Sequence, residues 1–226
     1  MTKNVLLIMN PRNIPEVITA FKALPIDKYW MRAYTERELE GVISGIIEET
    51  NYENYILCSD DAVVSPEALV AVEELLERKE IASGWTLMHE GSDITSVVVE
   101  PVRLSRNDRN TASPVFADYS FLTKEDLERL PDEFEACGTG FSLMGARRSI
   151  WLEYPFQVYI RNNKDGYSSD HHWSYRIQNH HKIWVTKRGY IKHLKRDLAA
   201  AYKTNWIRDS EPGRVIRETY ENPIHR

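Results

Sequence analysis

Apolar positions in the first third of this chain alternate between two rhythms. Val5-Leu6-Leu7-Ile8-Met9 is a continuous apolar run, the pattern of a strand buried on both faces. Val17, Ile18, Phe21 and Leu24 follow on one side of a 3.6-residue period. Pro15 suits the first turn of that helix, and Asn13 stands where a cap is expected. Residues 28–34, KYWMRAY, predict a second strand. In residues 36–50, ERELEGVISGIIEET, Leu39, Val42, Ile43, Ile46 and Ile47 form a second helical stripe. Asn54–Cys58, NYILC, predicts a third strand. Ser65 and Pro66 then supply a cap and a first helical residue, and Leu69, Val72, Leu75 and Leu76 line the helix that follows. Strand followed by helix, three times over, predicts an α/β fold on a parallel sheet.

The second half is less regular. SVVVEPV (96–102) predicts a strand. RLSRNDRNTAS (103–113) is polar and without period, a loop suited to act as a lid. KEDLERL (124–130) predicts a short helix. Residues 134–156 predict a strand, a tight glycine turn, a strand and a helix. RNNKDGYSS (161–169) predicts another loop, DHHWSYRIQNHH (170–181) a helix, and KIWVTKRGYIKHL (182–194) one or two strands. No repeat interrupts the pattern, and a single domain over residues 1–226 is expected.

Composition adds three constraints. At 226 residues the chain is long enough for one sizeable core. The net charge of −5 is unevenly spread: residues 182–226 hold 11 Lys+Arg against 5 Asp+Glu, a balance of +6 that leaves −11 for the rest. A basic final fifth can contact phosphates or an anionic acceptor. Cys58 and Cys137 do not make a disulfide framework, which predicts a reducing compartment, the cytoplasm of a cell or of an infected host. No apolar run approaches the roughly 18 residues needed to span a bilayer, and MTKNVLLIMN is too short in apolar residues for a signal peptide.

The chemistry starts at Cys58-Ser59-Asp60-Asp61, where an apolar strand stops at two adjacent carboxylates. In an open parallel sheet, ligands bind beyond the carboxyl ends of the strands. Neighbouring carboxylates there repel unless a positive group lies beside them, and Mg²⁺ or Mn²⁺ with its preference for hard oxygen is one such group. Asp is also common in plain turns, and spacing alone leaves both readings open. Asp170, between a loop and a helix, reads by position as an N-cap before it reads as a general base. His171, His172, His180 and His181 are paired at i,i+1 and diverge on a helix, so they do not form a zinc clamp. The phosphate loop Gly-x-x-x-x-Gly-Lys and the dinucleotide signature Gly-x-Gly-x-x-Gly are both absent.

Three stretches in order, YILCSDDAVVSPEALVAVEELLE, ACGTGFSLMGARRSIWLEYPF and SSDHHWSYRIQNHHKIWVTKRGYIKHL, resemble GT-A-fold, family-2-like glycosyltransferases over roughly residues 4–196. The resemblance implies a GT-A-like α/β fold: a mostly parallel nucleotide-binding sheet flanked by helices, with a mixed acceptor-side second half. It divides the chain into a donor-nucleotide half (1–100), an acceptor half (101–196) and a basic extension (197–226). It implies transfer from a nucleotide-diphosphate sugar with Mn²⁺ or Mg²⁺. Asp61, the third position of the Ser59-Asp60-Asp61 triplet, would be a metal ligand, and His193 would complete the shell. Ser59 stands where the family usually has its first acid, and Asp60 would take over that contact to ribose or metal. The glycine common before the last strand is missing from QNHHKIW. Asp170 would be the base of an inverting transfer. Asn10 would contact the base or ribose, Arg12 a phosphate, and Tyr34 with Thr35 would line the same pocket. Arg147 and Arg148 would face the acceptor or the diphosphate. The acceptor stays open among glycan, lipid, protein and modified nucleic acid, and the oligomeric state is not indicated. Two rivals stand beside this reading. A nucleotidyltransferase would need a Gly- and Arg/Lys-rich loop, where NPRNIPE has one Arg and no Gly. A sugar-nucleotide-binding protein without turnover would fit Ser59.

Overall fold

The structure, a computed structural model, describes residues 3–9, 13–32, 36–101, 120–157, 169–194 and 214–218. Asn10, Arg12, Tyr34, Thr35, the loop 103–113 and most of the basic extension lie outside these residues. Among the described residues, nine strands form one sheet. Their order is β11 (Arg214–Glu218), β2 (Asp27–Arg32), β1 (Asn4–Met9), β3 (Asn54–Cys58), β9 (Met144–Arg147), β5 (Ile81–Thr86), β10 (Ile183–His193) and β4 (Ala62–Val63), with β8 (Glu133–Ala136) also paired to β10. The strands β1, β2, β3, β5 and β10 run in one direction. The other four run against them. The fold is thus mixed α/β: the expected parallel order holds for β2-β1-β3, and the antiparallel β9 then inserts between β3 and β5. A separate ribbon pairs β6 (Ile94–Val98) with β7 (Phe121–Thr123).

Alternation along the central strands sorts side chains to two faces. Leu6 and Ile8 pack with Val17 and Phe21 of α1 (Pro15–Ala23) and with Leu69, Val72 and Leu75 of α3 (Pro66–Leu76). Val5 and Leu7 pack on the other face with Leu39, Ile43 and Ile47 of α2 (Glu36–Glu49). That face also receives Leu127 of α4 (Lys124–Arg129), Trp151 of α5 (Arg148–Glu153) and Trp173 of α6 (Ser169–Ile177), the two tryptophan rings stacked at 4.7 Å.

The helix ends follow local chemistry. Ser65 Oγ accepts the N–H of Ala68 at 3.2 Å, as its position predicts. At α1 the cap is Ile14, not Asn13. Asn13 sits one residue earlier with φ 51°, a left-handed conformation that Asn tolerates because its short polar side chain bonds locally. α2 has no basic residue in its last turn. Its exposed carbonyls are instead met by Arg148, whose Nε donates to Ile47 O at 3.0 Å and Nη2 to Glu48 O at 3.2 Å. Arg148 is therefore a cap for another helix, which corrects its expected place at the acceptor or diphosphate.

At the amino-terminal end of the sheet, the Tyr52 hydroxyl donates to Asp27 Oδ2 at 2.9 Å and accepts from Arg217 Nη2 at 2.8 Å. Burial, then the Asp27 carboxylate, pushes the Tyr52 phenol up to about 12. This lock ties β11 to the elements around β2 and β3.

KIWVTKRGYIKHL forms one strand, not two, but its pairing with β5 is broken. Trp184 and Val185 face Ala82 and Ser83, whereas Tyr190 and Ile191 face Trp85 and Thr86. Residues 186–189 are gathered opposite Gly84 alone. There the backbones nearly touch: a Cβ on Gly84 would lie 2.4 Å from Gly189 O, and one on Gly189 would lie 2.8 Å from Gly84 Cα. Only glycine permits this approach.

Gly84→Ala is therefore expected to lower stability by at least about 2 kcal/mol in urea unfolding, because the clash is with backbone that cannot swing aside. Gly41→Ala, in α2 with nothing within 4 Å of its Cβ, is expected to raise stability by about 0.5–1 kcal/mol in the same assay.

Candidate active site at the carboxyl edge of the sheet

β3 ends at Cys58, and the chain turns through Ser59, Asp60 and Asp61 into the two-residue β4. β4 pairs antiparallel with the end of β10, Ala62 opposite His193 and Val63 opposite Lys192. Leu194 N–H closes the ladder on Asp61 O at 2.8 Å. This backbone pairing brings His193 to Asp61. His193 Nε2 lies 3.3 Å from Asp61 Oδ2, with both side chains largely buried. The other ring nitrogen, Nδ1, is 3.2 Å from Leu87 O. A carbonyl oxygen only accepts, so Nδ1 carries the proton and donates. In the neutral ring Nε2 is then a lone pair facing a carboxylate oxygen. Two acceptors stand together there only if a second proton or a cation lies between them.

Asp60 and Asp61 are 5% and 8% exposed, so the acidic pair is not a solvated turn. Ser59 Oγ is buried and has no hydrogen-bond partner. Among the described residues, no group of three or more His, Cys, Asp or Glu side chains converges on one point.

Asp170 belongs to the helical layer. It is the second residue of α6, inside the first turn and not at the N-cap position. Its Oδ1 accepts the N–H of His171 at 2.8 Å and lies 3.1 Å from His171 Nδ1. Its Oδ2 faces Gly140 in the glycine turn between β8 and β9, and Ser96 of β6 borders that turn. Ser96 Oγ in turn accepts the N–H of Thr86 at 3.1 Å. Thr86 precedes Leu87, whose carbonyl holds His193. The acidic turn and Asp170 are thus linked, through Gly140, Ser96 and Thr86-Leu87, at the end of β5. Burial, the largest single influence, pushes the Asp170 carboxyl up. The charge and hydrogen bonding of His171, with backbone N–H groups, outweigh it and hold the carboxyl below the ordinary aspartate value.

The sequence placed Asp60, Asp61, Asp170 and His193 at strand or helix ends, and the structure puts Asp61 and His193 in contact. Asn10, Arg12 and Tyr34 fall outside the described residues. Leu87 was not anticipated, because it acts through its backbone carbonyl and carries no side-chain signal. His171 was visible only as one of several paired histidines, and its link to Asp170 depends on where α6 begins.

No family model and no curated protein matches the sequence. Solved structures share the fold. "A197 from STIV" superposes with a TM-score of 0.54 at 12% identity, covering 83% of each chain. GalNAc-T7, solved with UDP, GalNAc and Mn²⁺, gives 0.53 at 10% identity, covering 87% of this chain and 44% of that one. At such identities the likeness is one of fold. That fold is GT-A-like.

A depressed carboxyl stabilises the folded state above its unfolded value of about 3.9, and that contribution is lost as pH falls through the folded value. Asp170→Asn is therefore expected to be less stable than wild type at pH 6, with the gap closing below about pH 4 in urea titrations.

Proposed function

We propose that this chain is a metal-dependent glycosyltransferase. It moves a sugar from a nucleotide-diphosphate sugar to an acceptor hydroxyl, with inversion. The observation that carries the reading is the Asp61–His193 contact. His193 Nδ1 is anchored on a backbone carbonyl and Nε2 is aimed at a carboxylate, the arrangement in which a histidine is oriented to ligate a metal ion. The residues fit Mn²⁺ or Mg²⁺: these ions use one or two carboxylates and complete their shell with substrate phosphates and water. A converging cluster of three protein ligands is not required. Asp61 and His193 would hold the ion, with Asp60 beside them. When bound, it supplies positive charge against the leaving diphosphate.

The rest is the work of the chain. Asp170, kept ionised at neutral pH by its surroundings, accepts the proton of the acceptor hydroxyl. The oxygen's electron pair forms the bond to the anomeric carbon. The bond from that carbon to the diphosphate breaks, and its pair stays with the phosphate oxygen. Attack opposite the leaving group gives inversion. Ser59, with its buried unpartnered hydroxyl, offers the donor a hydrogen bond where the family usually has an acid. Asn10, Arg12 and Tyr34 would complete the nucleotide pocket within the donor half, residues 1–100. The acceptor half and the basic extension would hold the acceptor. GalNAc-T7, which shares the fold, was solved with a nucleotide and Mn²⁺, which supports this choice of donor and ion. Cys58 and Cys137 are free thiols, in keeping with a cytoplasmic setting. No described helix is long and apolar enough to cross a membrane.

Ser59 also favours a second reading, a protein that binds sugar nucleotides without turnover. A thermal-shift panel of nucleoside diphosphates with and without Mn²⁺, followed by a transfer assay, separates the two. Asp61→Ala and His193→Ala are expected to abolish the Mn²⁺-dependent shift. Asp170→Asn is expected to keep that shift while transfer falls by roughly 10²–10⁴-fold. Full transfer by both Asp61→Ala and Asp170→Asn would sink the mechanism.

A further inference from the structure

The two oxygens of Asp170 have different surroundings. Oδ1 accepts the backbone N–H of His171 at 2.8 Å, and the His171 ring stands beside it with Nδ1 3.1 Å away, within ion-pair range. That ring is itself fixed. It is buried and stands edge-on to Phe121 at 5.7 Å. Oδ2 faces Gly140. A Cβ at Gly140 would stand 3.5 Å from Asp170 Oδ2, 3.7 Å from Ser142 Oγ and 3.8 Å from Ser96 Cβ. The missing side chain leaves a niche the size of one heavy atom, walled by a carboxylate oxygen and a hydroxyl. An oxygen atom there needs to shift by only about 0.5 Å to reach hydrogen-bond distance from Asp170 Oδ2. The Asp170 side chain keeps 26% of its exposure, so a ligand can approach. The adjoining Thr139 hydroxyl is fully buried without a partner, a costly state for a turn that served packing alone.

We propose that the Gly140 niche seats the acceptor's hydroxyl oxygen, that Oδ2 is the oxygen that takes its proton, and that His171 is the positioning residue that holds Oδ1 and so presents Oδ2. This rests on the reading of Asp170 as the base. The reacting group must then be a neutral hydroxyl. A carboxylate or phosphate oxygen in the niche would set like charges against Asp170. The proton passes from the acceptor oxygen to Oδ2, the freed pair bonds the anomeric carbon, and the diphosphate leaves with the pair of the broken bond.

The test uses the full chain with UDP-, GDP- and dTDP-glucose and Mn²⁺, and with water and methyl glucoside as acceptors. Release of nucleoside diphosphate is measured, and nucleotide affinity is measured separately by calorimetry. Gly140→Ala adds a methyl at ordinary contact distances, so folding is retained. It is expected to lose at least roughly tenfold in kcat/KM for the acceptor with nucleotide affinity unchanged. His171→Leu is expected to lower kcat roughly tenfold at near-constant acceptor KM. His171→Asn, which offers an N–H donor at the same place, is expected to recover most of that loss, a rescue that a packing role would not produce. If His171→Leu does not fold, Gly140→Ala decides alone, and wild-type transfer by it overturns the proposal. A silent wild type, or an Asp170→Asn variant as active as wild type, overturns the reading of the site and this proposal with it. An inactive Asp170→Asn beside fully active Gly140→Ala and His171→Leu overturns this proposal alone.

Discussion

The backbones of Gly84 and Gly189 stand closer than any side chain would permit, and the placement of the site follows from that contact. Residues 186–189 are taken up opposite one residue of β5, so the second half of β10 pairs three residues out of step with the first. That offset sets which residue ends the strand beside Leu87. Without it, His193 would not stand with one ring nitrogen on the Leu87 carbonyl and the other toward Asp61. The constraint is steric, and it acts through backbone geometry, which is why a site of charged residues depends on two residues with no side chain.

The acidic turn shows a related economy. Asp60 and Asp61 are buried side by side, a placement that like charges resist. The fold holds them there with main-chain bonds: the β4–β10 pairing and the closing bond from Leu194 to Asp61. Asp170 is treated differently. It is held in the first turn of a helix by its own neighbour, His171. One carboxylate group is thus fixed by the sheet and the other by a helix, and the end of β5 joins them through Thr86 and Leu87.

Much of the frame was legible in the sequence. Continuous apolar runs located β1 and β3, and 3.6-residue periods located α1, α2 and α3, because each buries a stripe whose spacing is set by local geometry. Ser65 was readable as a cap because its partner is three residues away. What was not legible depends on distant pairing. The antiparallel β9 between β3 and β5, the offset in β10, and the recruitment of Arg148 to the end of α2 join residues far apart in the chain. Each of these outcomes depends on register, and register leaves no period in the sequence. The same reason hid Leu87 and Gly140 from the candidate site: one contributes a carbonyl and the other an empty space.

The lock of Tyr52, Asp27 and Arg217 carries a kinetic consequence. Arg217 and Tyr52 are 165 positions apart, and β11 comes after every other described strand. Until β11 arrives, the outer edge of β2 presents unpaired backbone groups, a template that other chains can extend. Contacts of such long sequence separation form late and slowly. The half of the molecule with the most regular sequence pattern therefore waits longest for its final neighbour, and its folding is exposed to aggregation over that interval.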